Sequence, residues 1–435
     1  MKEEPVQDPD TQSHYAAYVA FDWADQKHDV HILDARSRRR EHLEIEHSPE
    51  ALTDFVNLLR GRFGPGPIAL AVELKRGPLI NFLCAFEFID IYPVKTTTLS
   101  HYRKAFYPSG AKSDPLDCAL ILEILVKHPD RLESPWEPDT PETRLLGELA
   151  EARRGFVDGL TALSQKLRAC LKGYYPLAID ILGGTLDNRL ACDLLLRWPT
   201  LEELQKARGS TLRNFFHRHN CRSEKRIAEA LQLRREALPL TSDPAIIAGG
   251  RLRAVTLLKQ MRTLLPAIQE YDARIAELFD AHPDAFIFAS LPGAGEVIAP
   301  RLLAAVGTRR GRFAHRDNLC QYNGCAPVSE SSGKQAWIHW RWAAPVFVRQ
   351  SFVELARWSI GHCRWVRAYN ELLRERGDGF QTRLRKIGFK WSRVIFRCWK
   401  DRTAYDESRY LERLQATGSP IWSKLQQLEA VATTP

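Results

Sequence analysis

The stretch Tyr15-Ala16-Ala17-Tyr18-Val19-Ala20-Phe21-Asp22 decides the fold. Apolar and aromatic residues run without interruption into one aspartate, and a short run of this kind reads as a buried strand. Its last residue is then a carboxylate carried at the end of a core strand, where an unpartnered charge is costly. Downstream, residues 28–33 alternate as a second strand, 34–40 form a charged turn, and 41–46 alternate as a third strand. Ser48 is placed to cap a helix over 49–63, with Leu52, Phe55, Val56 and Leu59 on one face. Gly64-Pro65-Gly66-Pro67 ends it, and the apolar run 68–72 is a fourth strand that leads into Glu73. Gly77 opens a helix to about residue 86, and 89–93 form a fifth strand. Three strands, then helix, strand, helix, strand and a further helix, is the order of a ribonuclease-H-like α/β sheet, parts of which other α/β folds share.

Outward from that sheet, the acidic residues 1–14 read as a disordered leader, with no signal peptide. Residues 99–111 read as a basic, aromatic loop. Ser113-Asp114-Pro115-Leu116-Asp117 then starts a helix to about 127, with Pro115 in its first turn and Ser113 or Asp114 as cap. The α/β domain spans 15–131, and proline-rich residues 132–140 form a linker. Helical periodicity over 142–175 and again over 251–282 predicts two long helices paired antiparallel, the second kinked at Pro266. They frame a helical spacer, 142–283, with an insertion of smaller helices at 176–249 that acts as spacer, dimerisation device or both. A mainly α-helical C-terminal domain, 286–410, and a peripheral tail, 411–435, complete the chain.

The C-terminal domain opens with Leu291-Pro292-Gly293-Ala294-Gly295 before an apolar helix at 297–306. The turn resembles that of a helix-hairpin-helix, where backbone amides at a helix start meet a DNA phosphate; a tight turn with no ligand is the alternative. Ala326-Pro327-Val328-Ser329-Glu330-Ser331-Ser332-Gly333-Lys334 reads as a polar loop. A serine before a glycine is exposed there, close to backbone amides. Trp337, Trp340 and Trp342 follow among arginines, where they either stack on single-stranded bases or belong to the core.

The chain has 435 residues, enough for two or three domains; 44% are hydrophobic and 26% charged, and no apolar run reaches transmembrane length. A cytoplasmic protein is expected. The nine cysteines are scattered, contain no C-x-x-C pair, and read as reduced thiols, mostly core. The net charge of +9 is unevenly spread. Residues 1–140 hold 16 Lys+Arg against 23 Asp+Glu, whereas residues 291–410 hold 22 against 10. A basic, aromatic C-terminal region fits a nucleic-acid partner. The acidic region suits divalent cations: Asp22 and Glu73 at strand ends, with Asp114 and Asp117 one helical turn apart, are oxygen donors of the kind Mg²⁺ or Mn²⁺ takes. Two such ions suit phosphoryl transfer on nucleic acid.

These residues resemble a known family. Tyr18-Val19-Ala20-Phe21-Asp22, Ala71-Val72-Glu73 and Lys112-Ser113-Asp114-Pro115-Leu116-Asp117 are similar to the DEDD motif of insertion-sequence-110-type transposases, which include the Piv-type DNA invertases. Leu291-Pro292-Gly293-Ala294-Gly295, Gly311-Arg312-Phe313, Tyr322-Asn323-Gly324-Cys325-Ala326-Pro327 and Ser332-Gly333-Lys334 follow in the family's order. The resemblance implies a RuvC-like first domain, a coiled-coil spacer and a C-terminal domain with a nucleophilic serine. It further implies a structured bridge RNA that selects donor and target DNA, assembly into dimers and a tetramer, and residence at the bacterial nucleoid. It maps the acids to Asp22, Glu73, Asp114 and Asp117, and the serine to Ser332, with Ser331 as fallback. Gly293, Gly295 and Lys334 would contact DNA. The chain departs from the pattern at Leu74-Lys75-Arg76-Gly77, in the Trp-rich 335–345, and in its longer 176–249. The expected function is Mg²⁺-dependent recombination through a phosphoserine–DNA intermediate. The rivals are a metal-dependent nuclease or junction resolvase in which water attacks, and a nucleic-acid-binding protein that has lost catalysis.

Overall fold

The computed structural model describes residues 14–73, 76–107, 114–132, 135–333 and 335–432. Of the residues expected to matter, Lys112, Ser113 and Lys334 lie outside these, as does all but the last residue of the expected leader. The chain divides into two compact units, one ending at Pro138 and the other starting at Asp139.

The first unit follows the element order read from the sequence. Strands β1 (Ala17–Asp22), β2 (Lys27–Asp34) and β3 (Arg40–Glu46) precede helix α1 (Pro49–Phe63), β4 (Ile68–Val72), α2 (Pro78–Leu83) and β5 (Ile89–Pro93). Helices α3 (Thr96–Phe106) and α4 (Asp114–Lys127) follow. The sheet order is β3-β2-β1-β4-β5, with β1 antiparallel to β2 and parallel to β4. Ser48 accepts a hydrogen bond from the Ala51 amide and so starts α1 as expected. β1 and β4 are central, and every residue of β4 is buried. One face of the sheet packs Val19, Phe21, Val30 and Ile32 against Phe55, Leu59 and Leu83; the other packs Ala20, Leu33 and Ala71 against Cys118, Ile121 and Leu125 of α4.

The expected loop over 99–111 is instead helix α3 through Phe106. Its basic and aromatic surface hid the helical signal, because only Leu99 is fully buried, against the core under α4. The expected linker is partly pinned as well: the Trp136 amide donates to Ile91 O of β5 at 2.7 Å.

The second unit is helical apart from one hairpin. Helices α5 (Pro141–Tyr174) and α11 (Pro244–Asp280) form the long pair, and Pro266 lies inside α11 without ending it. Between them come α6 (Leu177–Ile181), α7 (Arg189–Arg197), α8 (Leu201–Lys206), α9 (Gly209–Arg218) and α10 (Glu224–Glu236). These small helices share one core with the long pair, joining Leu167, Leu171, Leu258 and Met261 to Trp198, Phe215 and Phe216. Beyond lie α12 (Ala285–Ala289), α13 (Gly295–Val306), α14 (Arg316–Tyr322), β6 (Val328–Ser332) and β7 (Gln335–His339). Five helices complete the chain: α15 (Val346–His362), α16 (Arg364–Glu375), α17 (Phe380–Asp401), α18 (Glu407–Ala416) and α19 (Pro420–Ala432).

Two expectations change here. The spacer and the C-terminal segment belong to one compact unit, because Leu146, Ala150, Ile275 and Phe279 of the long helices pack into the same core as Trp365, Trp391 and Trp399. The tail is not peripheral: Leu411, Leu414, Ile421 and Leu425 enter that core too. Charge neutrality marked the tail as surface, but two amphipathic helices need only one apolar stripe each to dock. All nine cysteines are free, and Cys118, Cys192, Cys320, Cys325, Cys363 and Cys398 are buried. No helix among the described residues is long and apolar enough to cross a membrane.

Candidate active site

β1 delivers Asp22 and β4 delivers Glu73 at neighbouring strand ends. The two strands run parallel with Phe21 opposite Val72, so the next residues, Asp22 and Glu73, leave the sheet at one level. Alternation along β1 sends Phe21 into the core under α1, and therefore Asp22 to the face that α4 covers. On that face the Cys118 thiol donates to Ala20 O at 3.3 Å and to Asp29 O at 3.1 Å, fastening α4 across β1 and β2. Burial pushes this thiol up to about 12, so it remains a neutral clamp. Asp114 is the first residue of α4, and Asp117 follows one turn later.

Asp117 is only 2% exposed. Its Oδ2 accepts a 2.6 Å hydrogen bond from Arg103 Nη2 on α3, while its Oδ1 is buried and has no hydrogen-bond partner. An orphaned carboxylate oxygen is costly in a protein interior, and it marks a place where a ligand is expected. The donor chemistry, carboxylate oxygens only, fits a hard divalent cation. Among the described residues no three His, Cys, Asp or Glu side chains are gathered closely enough to hold a metal ion. The parallel register of β1 and β4 thus sets Asp22 and Glu73 at neighbouring strand ends, and α4 carries Asp117 over the face to which Asp22 points.

Side chains that the sequence reading passed over lie on the same face. Asp29 of β2 stands opposite Asp22 in the antiparallel register. His42 Nε2 is 2.6 Å from Asp29 Oδ1, and the rings of His31 and His42 stack with centroids 4.7 Å apart. Burial and then the His42 charge lower the pKa of His31. Period-two counting along β2, applied to polar rather than apolar positions, would have found Asp29 and His31. His28, on the opposite face and fully buried, accepts from the Ala24 amide at 3.1 Å and pairs with His47 at 3.0 Å. It pins the turn that follows Asp22, and burial lowers its pKa to about 4.

Ser332 belongs to the second unit. The expected loop is a β-hairpin in which Ser332 pairs with Gln335 across a two-residue turn. Gly333 has φ +58°, the left-handed conformation such a turn demands at its first central position. Sequence composition hid the strands because β6 has no buried residue and β7 is exposed throughout. Alternation separates the two serines. Ser332 shares its face with Glu330 and Trp337, while Ser331 shares the other with Ile338. Glu330 also reaches His339 at 3.2 Å on the Ser332 face.

The hairpin is anchored at its base. The Trp340 ring carries the Arg385 guanidinium 3.8 Å from its centroid and that of Arg349 at 5.8 Å. Trp337 is 45% exposed and Trp342 77%, so neither is a core residue. At the expected phosphate-binding turn, Gly293 (φ +84°) lies against the α15 backbone. A Cβ there would stand 2.8 Å from Trp358 C and 2.9 Å from Ser359 N. Gly295 (φ +52°) opens α13 with free space beside it.

Comparison with known proteins follows the same division. A family model for the DEDD transposase of IS110, described as "Transposase", matches residues 19–176, and one described as "Transposase IS116/IS110/IS902 family" matches residues 285–371. The chain belongs to the IS110 transposase family. It is a DNA transposase, an enzyme that cuts and rejoins DNA. The transposase is similar to the mini-circle putative transposase for IS117 of Streptomyces coelicolor, 25% identical over 404 residues, which cover 90% of this chain and 96% of that protein. It is also similar to the insertion element IS900 uncharacterized 42 kDa protein of Mycobacterium paratuberculosis, 26% identical over 70% of this chain and 75% of that protein. The insertion element IS110 uncharacterized 43.6 kDa protein of Streptomyces coelicolor is 28% identical over 52% of this chain and 55% of that protein. The first family match contains Asp22, Glu73, Asp114 and Asp117, and the second contains the serine hairpin. The DEDD family points to divalent-metal dependence.

Proposed function

We propose that the transposase joins DNA through Ser332, and that the acids of its RuvC-like first unit hold the divalent metal ion. The observation that carries this reading is the position of Ser332 at the turn of an exposed hairpin. A DNA phosphate can approach it there, and Gly333 leaves the turn backbone uncovered. A serine hydroxyl is a poor nucleophile at neutral pH and needs activation. Asp22, Glu73, Asp114 and Asp117 would hold Mg²⁺ or Mn²⁺, which when bound supplies Lewis acidity for phosphoryl transfer.

Ser332 Oγ attacks phosphorus and gives up its proton to a base. The bond from phosphorus to one deoxyribose oxygen breaks as the serine–phosphorus bond forms. A deoxyribose hydroxyl of the other DNA then displaces the serine, so the number of phosphodiester bonds is conserved. Arg349 and Arg385 at the hairpin base, with Lys334, neutralise phosphate charge. Trp342 offers a face on which an unpaired base stacks. Selection of donor and target DNA by a structured bridge RNA, assembly into dimers and a tetramer, and residence at the nucleoid complete the proposal. They rest on the family resemblance and on the basic C-terminal segment.

The test is a denaturing gel of protein incubated with labelled DNA and Mg²⁺. Wild type should give a protein–DNA adduct, and Ser332→Ala none, with DNA binding retained. Cleavage without an adduct in wild type would favour attack by water and return Ser332 to the role of a turn residue.

A further inference from the structure

We propose that Arg103 is a positioning residue of the carboxylate site: it holds Asp117 by one oxygen and leaves the other for the metal ion. The inference rests on the metal reading given above. Arg103 stands on α3, 14 residues before Asp117, and its Nη2 bonds Asp117 Oδ2 at 2.6 Å. The pair is well shielded, with side-chain exposures of 17% and 4%.

Both members carry a buried atom without a hydrogen-bond partner, Arg103 Nε and Asp117 Oδ1. A purely structural arginine–carboxylate pair tends to close as a two-pronged fork that uses both oxygens. Here one prong is made, and the second oxygen is kept dry and free. That is the arrangement of a metal ligand oriented by an outer partner. Groups of this kind fix the ligand's direction, and their loss typically weakens metal binding by about 10–100-fold.

Chain geometry supports the role. α3 and α4 flank the connection that leads to Asp114, the other helix acid, and both pack over the core that includes Ala20 and Ala71. Arg103 therefore ties the α3 side of that connection to the helix bearing two of the four acids. The opposite arrangement would make Arg103 a competitor that occupies the cation's place and is displaced when metal enters. The two differ in sign: a positioning residue strengthens metal binding, and a competitor weakens it.

The experiment is a Mn²⁺ titration of the full chain, read by the electron paramagnetic resonance of free Mn²⁺. The proteins are wild type, Arg103→Ala, Arg103→Lys and Asp117→Asn, each checked for its thermal midpoint without metal. Arg103→Ala should bind Mn²⁺ about 10–100-fold more weakly. Arg103→Lys, which keeps the charge and one donor, should recover part of that loss. Should Arg103→Ala not fold, Arg103→Gln and Arg103→Lys give the same ordering, with Gln the weaker binder. Unchanged affinity would make Arg103 merely structural, and tighter binding would make it the competitor; either result overturns the proposal. A wild type that binds no Mn²⁺ would overturn the metal reading itself and this inference with it.

Discussion

Replacing Gly293 by alanine separates a packing role from a DNA-contact role at the α12–α13 turn. Gly293 has φ +84°, so any side chain pays the left-handed penalty of about 1–2 kcal/mol. The new Cβ would also stand 2.8 Å and 2.9 Å from backbone atoms of Trp358 and Ser359. Backbone inside α15 cannot swing aside as a side-chain tip does. Ser359 is buried and accepts the Trp391 indole N–H at 2.9 Å, so pushing this helix disturbs the tryptophan core. Overpacking of this kind costs about 1–3 kcal/mol, which brings the total to about 2–5 kcal/mol. At Gly295 the same substitution meets no atom within 4 Å and bears only the backbone penalty, about 1–2 kcal/mol. Guanidinium unfolding followed by tryptophan fluorescence reads both. Gly293→Ala should lower the midpoint clearly more than Gly295→Ala. Equal midpoints for Gly293→Ala and wild type would refute the close approach to α15. A DNA-binding defect in Gly295→Ala with stability nearly kept would mark the helix start as the phosphate contact.

Three more outcomes are expected. Asp22→Asn should abolish Mg²⁺-dependent strand cleavage while the protein stays folded; cleavage at the wild-type rate would remove Asp22 from the site. Ser331→Ala should keep the covalent adduct that Ser332→Ala loses, since the hairpin points the two serines to opposite faces; loss of adduct in Ser331→Ala alone would move the nucleophile by one residue. His28 titrates near 4 when folded and near 6.5 when unfolded, so between those values the unfolded chain binds the extra proton. Its contribution to stability is complete above pH 6.5 and is lost as pH falls toward 4. The thermal midpoint of wild type should therefore drop more between pH 7 and pH 5 than that of His28→Asn, and parallel drops would refute it.

Much of the first unit was legible because its signals are local. An apolar run into Asp22, a serine cap at Ser48, a Gly-Pro break and an apolar run into Glu73 each act within a few residues. α3 was missed because a helix burying one residue fully leaves almost no apolar periodicity. The serine hairpin was missed for the related reason that β6 and β7 bury nothing.

The sequence by itself determined which residues are candidates for the chemistry: four carboxylates, a serine before a glycine, and a basic, aromatic C-terminal segment. It also determined most of the element order of the first unit, since caps, breaks and periodicity are written in neighbouring residues. Only the tertiary structure decided what those residues meet. Asp29 stands beside Asp22 through strand register, Arg103 holds one oxygen of Asp117 across two helices, and Gly293 accommodates α15 rather than open solvent. Each of these depends on two segments packing at ångström distance. Register, burial and a missing hydrogen bond are properties of the pair, and neither segment carries them alone.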